Sequence, residues 1–89
     1  MTMVRSLTAL TARLETATET LAEYIGYLNG EIDAEQDKAE PDAERVEALE
    51  QQLDIVIGER RAISPDNLAL INRALYIYAP FLKLLRSST

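Results

Sequence analysis

The chain has 89 residues, 47% hydrophobic and 27% charged, with 15 acids against 9 bases and a net charge of −6. It holds no Cys, no His and no Trp, which excludes disulfide frameworks, zinc-cysteine sites, cysteine nucleophiles and histidine-based catalysts or ligand sets. The acidic balance argues against direct nucleic-acid binding, because affinity for phosphate needs clustered Lys and Arg.

Three Gly and three Pro are too few for a sandwich of short strands joined by tight turns. Leu, Ala and Glu are the commonest residues, and with Arg and Gln they form a stock of helix formers. An all-α single domain spanning residues 1–89 follows. Lack of Cys fits a reducing, cytoplasmic setting. The opening MTMVRSLTALTARLE has no unbroken apolar core of the kind a signal peptide needs, so it reads as the first turns of a soluble helix. The most apolar stretch, Leu68 to Leu85, is interrupted by Arg73 and Lys83, so no membrane partner is expected.

Helix one is expected over about residues 4–38. Leu7, Leu14, Leu21 and Leu28 recur every seven residues, with Leu10, Ala17 and Tyr24 three after the first three. That spacing is an a/d seam, the pattern of a helix packed lengthwise on another helix. It is also leucine-zipper spacing, but Arg5 stands alone where a zipper protein would carry a basic region. Asn29-Gly30 offers a C-cap and a break. Against that, Ile32 keeps the four-residue step from Leu28 and no Pro follows closely, so continuity is the preferred reading.

Pro41 marks the boundary and suits the first turn of helix two, expected over about 42–61. Val46, Leu49, Leu53 and Val56/Ile57 make its seam, and Arg60 and Arg61 sit where the helix dipole is negative. Ser64-Pro65-Asp66 then reads as N-cap, first helical position and first-turn acid of helix three, expected over about 65–86 with a kink or break at Pro80. Helices one and two pair as an antiparallel hairpin, and helix three completes a bundle-like arrangement.

Helix three carries two apolar faces. One is Leu68, Ile71, Leu75, Tyr78, Leu82 and Leu85, and the other is Leu70, Ala74, Ile77, Phe81 and Leu84. A helix apolar nearly all round must be covered nearly all round. The short chain offers little cover, so an oligomer, most simply a homodimer, or another protein is the expected partner. Leu70, Ile77, Phe81 and Leu84 are the candidate contact residues.

Charge is segregated. Residues 31–50 carry a net −7, residues 51–89 carry +2, and residues 1–30 carry −1. Four readings compete for this acidic junction: a solvated end, a docking surface for a basic partner, a phosphate mimic, and a calcium loop. The first is the plainest. For docking, Asp33, Asp37, Glu40 and Glu44 are the candidates. Asp33, Glu35, Asp37 and Glu44 fit an EF-hand count, but Lys38 stands where the sharp-turn Gly belongs. No metal or cofactor is therefore assigned. Isolated Gly26, Gly30 and Gly58 make no phosphate loop, and the carboxylates lie on expected wet faces. The reading is of no enzyme, but of a small acidic interaction module: adaptor, small chaperone or inhibitor. The alternatives are a nucleic-acid-mimicking inhibitor and a purely structural oligomerisation subunit.

Overall fold

A computed structural model describes the backbone of residues 2–88 and the side chains of residues 8–88. The fold is all-α, built from α1 (Thr2–Gln36), α2 (Ala43–Ala62) and α3 (Leu68–Ser87), with no strand among the described residues. The long axis, 60 Å, is set by α1, whose 35 residues give about 52 Å at 1.5 Å per residue.

Helix α1 runs unbroken through Asn29-Gly30, and no glycine has a positive φ. Without that left-handed conformation there is no glycine C-cap, and the seam continues to Ile32. Ala17, Leu21 and Leu28 are buried, while Leu10, Leu14 and Tyr24 pack half-buried against the core. Leu7 of the seam lies outside the described side chains. The a/d spacing therefore marks the buried side of α1 as expected.

Helix α2 begins one step later than Pro41 suggests. Asp42 is the N-cap, accepting the backbone N–H of Arg45 at 3.2 Å, and Ala43 is the first helical residue. Pro41 thus precedes the cap. A carboxylate that accepts an otherwise unpaired N–H stabilises a helix start more than a ring that merely lacks one. Only Val56 of α2 is fully buried, so α2 is the lightly packed helix, with Leu49 and Leu53 half-covered.

The Ser64-Pro65-Asp66 signal also resolves differently. Asn67 donates its N–H back to the Ser64 carbonyl at 3.0 Å, closing a turn. Asn67 Oδ1 then accepts the Leu70 N–H at 3.2 Å and caps α3. Pro at the second position of a four-residue turn is as favourable as Pro at a helix start. The sequence does not separate the two, and α3 starts at Leu68 rather than near Pro65.

Pro80 does not break α3. The helix widens just before it into a π-turn over Ala74–Tyr78, in which Ala79 N–H donates to the Ala74 carbonyl five residues back. Proline supplies no N–H and its ring crowds the carbonyl four residues earlier, and a wider turn relieves that clash. The widening also sets the register. In a regular α-helix each four-residue step overshoots a full turn by about 40°, so Leu70, Ala74, Tyr78 and Leu82 would drift round the helix. The π-turn takes up the overshoot, and all four are buried, together with Ile71.

The core is one cluster of Ala17, Leu21, Leu28, Val56, Ile71, Ala74 and Tyr78, with Ile32, Leu70 and Leu82 also buried. Polar pairs pin the helices along its edges. Arg45 near the start of α2 reaches Glu31 and Glu35 near the end of α1, each at 3.2 Å. Arg13 of α1 donates to Asn72 Oδ1 at 2.6 Å and stacks over the Tyr76 ring. Arg86 meets Glu23.

Candidate interaction surface

The outer side of α3 is the first candidate surface. Ile77 is 61% exposed, Leu84 69% and Phe81 38%, so three of the four expected contact residues stand open. Leu70, the fourth, is buried. The π-turn and the approach of α2 bring its face inward, so it serves the core and not the surface.

Two further apolar side chains belong to the open side. Tyr76 is exposed beside Arg13, and Ile55 of α2 is exposed. Ile55 carried a signal in the sequence, since it lies off the Val46–Leu49–Leu53–Val56 seam. Tyr76 carried none, since it falls on neither apolar face of helix three and adjacent residues of a helix point about 100° apart. Leu68, expected on the packed face, is exposed at the first turn of α3.

Phe81 is tied at its inner edge. Its ring lies 5.9 Å from that of Tyr24 and 5.4 Å from that of Tyr27, and Tyr24 lies 4.7 Å from Tyr78. Such offset and edge-on rings add about 0.5–1.5 kcal/mol per pair beyond area burial. This four-ring cluster fixes α3 on α1 and holds the open side in one orientation.

Beneath the cluster sits a second anchor. Tyr78 donates its hydroxyl to Glu59 Oε1 at 2.7 Å, and Arg73 binds the other Glu59 oxygen. Burial, then the hydrogen bond to Glu59 and its charge, push the Tyr78 hydroxyl up to about 12. Burial is also the leading cause of the raised Tyr24 value, ahead of the neighbouring Tyr27 and Glu59. The Glu59 contact raises the Arg73 guanidinium further above its usual range.

The acidic junction between α1 and α2 is the second candidate surface. Asp33, Asp37, Glu40 and Glu44 are all exposed there. Glu35 behaves differently from its neighbours. Its side chain is 4% exposed and accepts the Asp42 backbone N–H at 3.0 Å, the Lys38 ammonium at 2.9 Å and the Arg45 guanidinium at 3.2 Å. The backbone bond from Asp42 first, then Lys38, hold its carboxyl below the usual value. Glu35 thus fastens the connection to the start of α2, and its oxygens are spent on the fold. The sequence offers no mark to separate it from eight other acids nearby.

Among the described residues no group of three or more carboxylates is placed to hold a metal ion. No buried side-chain nitrogen or oxygen there lacks a hydrogen-bond partner. By length and composition α3 is apolar enough to cross a membrane, but its inner side is packed on α1. Scans of protein-family models, curated proteins and solved structures each give no match to this chain.

Proposed function

We propose that this chain is a small protein-interaction module that acts by binding, through the outer side of α3. One observation carries the reading. Tyr76, Ile77, Phe81 and Leu84 stay open on a helix whose other side is already fully engaged. Contiguous exposed apolar side chains rimmed by charge mark protein contacts, and Arg73, Lys83 and Arg86 supply the rim.

In this reading α1 and α2 form an antiparallel hairpin. The Arg45 pairs near its turn and the burial of Val56 beside Ala17, Leu21 and Leu28 support that geometry. Asp33, Asp37, Glu40 and Glu44 at the turn steer a basic partner, which speeds encounter more than it adds affinity. The module is not an enzyme, and it works in the cytoplasm without direct nucleic-acid or membrane contact. Glu31 and Glu35 are neutralised by Arg45 and Lys38. That shortens the row of free carboxylates and weighs against phosphate mimicry.

The test is a pair of cross-linking captures from the native cell, one with the wild-type chain and one with the double variant Ile77→Asp, Leu84→Asp. Both positions are exposed, so the variant keeps its helical circular dichroism. Proteins captured by the wild type and lost from the variant sustain the reading. An identical captured set from both refutes it.

A further inference from the structure

Arg13 of α1 is held in place by neutral groups. Its guanidinium donates to Asn72 Oδ1 at 2.6 Å and to the Tyr76 hydroxyl at 3.4 Å, and it lies over the Tyr76 ring, 5.8 Å from the centroid. All three contacts reach across to α3, so the guanidinium is fixed at the edge of the open side. Among the described residues no carboxylate pairs with it. Arg73 and Arg86 differ, because Glu59 and Glu23 already answer their charges. Lys83 resembles Arg13. It is exposed, and among the described residues no carboxylate meets its ammonium.

The two charges share a spacing with the apolar residues beside them. Ile77 and Leu84 stand one heptad apart and are both exposed. Tyr76, which carries the Arg13 guanidinium, directly precedes Ile77, and Lys83 directly precedes Leu84. Apolar side chains one heptad apart with charges on their flank are what a partner helix reads. A partner that covers Tyr76 and Ile77 also takes water from Arg13. A guanidinium withdrawn from water without a counter-charge is strongly unfavourable. Helix α3 brings none of its own there, since the chain holds no acid from Asn67 onward. The counter-charge must therefore come from the partner, and an oriented, planar guanidinium suits a carboxylate. Phosphate of a nucleic acid fits less well, because two uncompensated bases on a chain of net charge −6 are too few to hold it.

We infer that Arg13 and Lys83 receive carboxylates from an amphipathic helix of a partner protein, set one heptad apart beside the apolar side chains that cover Ile77 and Leu84. This names the partner chemistry of the interaction surface and rests on that reading. It also gives the partner a direction. Asp33 lies about 30 Å from Arg13 along α1 at 1.5 Å per residue. A partner that is acidic over α3 and basic towards the junction fits one way round only.

Titration of the isotope-labelled full chain with three synthetic helical peptides, followed by nuclear magnetic resonance, tests it. Each peptide carries leucines at helical spacing, and its flanking positions one heptad apart are Glu, Gln or Lys. The Glu peptide is expected to bind at least roughly tenfold tighter than the Lys peptide at low salt, to lose that advantage as salt is raised, and to shift the Arg13 Nε–H signal. Arg13→Gln and Lys83→Gln should each reduce the preference. Arg13 also holds Asn72, so Lys83→Gln, at an exposed position without an ion pair, is the arm that leaves folding untouched. Equal binding of the Glu and Lys peptides, no binding of any, or a preference unmoved by both substitutions overturns the inference. Arg13 Nε–H signals that move on dilution of the chain alone would make the occupant a second copy. Vesicles of anionic phospholipid that shift them as far as the Glu peptide would make it a lipid surface. Either result also overturns the inference. If all three peptides bind alike and Ile77→Asp, Leu84→Asp abolishes the binding, the carboxylate contacts fail and the interaction surface stands. If that double variant binds every peptide as the wild type does, both fall.

Discussion

The acidic junction and the outer side of α3 invite opposite readings from composition and receive opposite treatment from the fold. The junction looks like a surplus of charge waiting for a partner, yet its best-placed carboxylate, Glu35, is consumed internally by Asp42, Lys38 and Arg45. Helix α3 looks like a core helix, yet Ile77 and Leu84 stand exposed, and Tyr76 is exposed with only the Arg13 guanidinium beside it. The difference teaches that an unusual residue count locates a region, while burial and pairing decide whether its groups are still free to act.

The same leucine-to-alanine change on two sides of the molecule should give the widest separation. Leu21 is fully buried, and Leu21→Ala should cost about 2–5 kcal/mol through lost burial and an unfilled cavity. In so small a core that is a large share of total stability. Leu84 is 69% exposed, and Leu84→Ala should stay within about 0.5 kcal/mol. Urea unfolding of both variants, measured at a concentration where the wild type is monomeric, checks the contrast. Equal losses would mean that Leu84 is covered in the folded chain.

At the junction, Glu35→Gln should lower the unfolding midpoint clearly, because Lys38 and Arg45 lose their common counter-charge. Its pH signature is specific. The folded carboxyl lies below its ordinary value of 4.5, so the stability it supplies is complete above about that pH and is lost as pH falls through the lower folded value. The variant should show a flatter acid limb in urea titrations over that window. An acid limb identical to the wild type would remove Glu35 from its anchoring role.

Much of the fold is legible in the sequence because periodicity reports burial directly. Leu14, Ala17, Leu21, Tyr24 and Leu28 mark the packed side of α1, and its continuity past Gly30 follows from Ile32. What escapes is set by contacts distant in sequence or by signals with two meanings. Ser64-Pro65-Asp66 satisfies the rules for a turn and for a helix start alike. The π-turn at Ala74–Tyr78 moves Leu70 inward and leaves Ile77 outside, a register that a uniform helix period cannot supply. Glu35 is singled out only by the Asp42 N–H that the folded connection brings to it.

The inner side of α3 sharpens the comparison further. Tyr78→Phe removes the hydroxyl donated to Glu59 and should cost about 1.5–3 kcal/mol, the range for a hydrogen bond to a charged group. The wild-type hydroxyl is raised from 10.0 to about 12. Stability from that group is therefore full below pH 10.0 and declines as pH rises towards about 12. The Phe variant should lack that alkaline decline, and denaturant midpoints across this interval decide it.

The smallest effect on stability should come from the largest change in charge. Neutralising Asp33, Asp37, Glu40 and Glu44 together as Asn or Gln removes four exposed carboxylates, none of which accepts a side-chain bond that holds the connection. Glu44 alone sits in the first turn of α2, where an acid is worth about 0.3–1 kcal/mol against the helix dipole. Relief of repulsion among the remaining acids of residues 31–50 offsets that loss, so thermal unfolding should shift little. One buried carboxylate at Glu35 would then matter more to the fold than four exposed ones. What the four-fold variant should lose is speed of encounter with a basic partner, and with it the salt dependence of that rate. A stability loss exceeding that of Glu35→Gln would show that the exposed acids, rather than Glu35, hold α2 to α1.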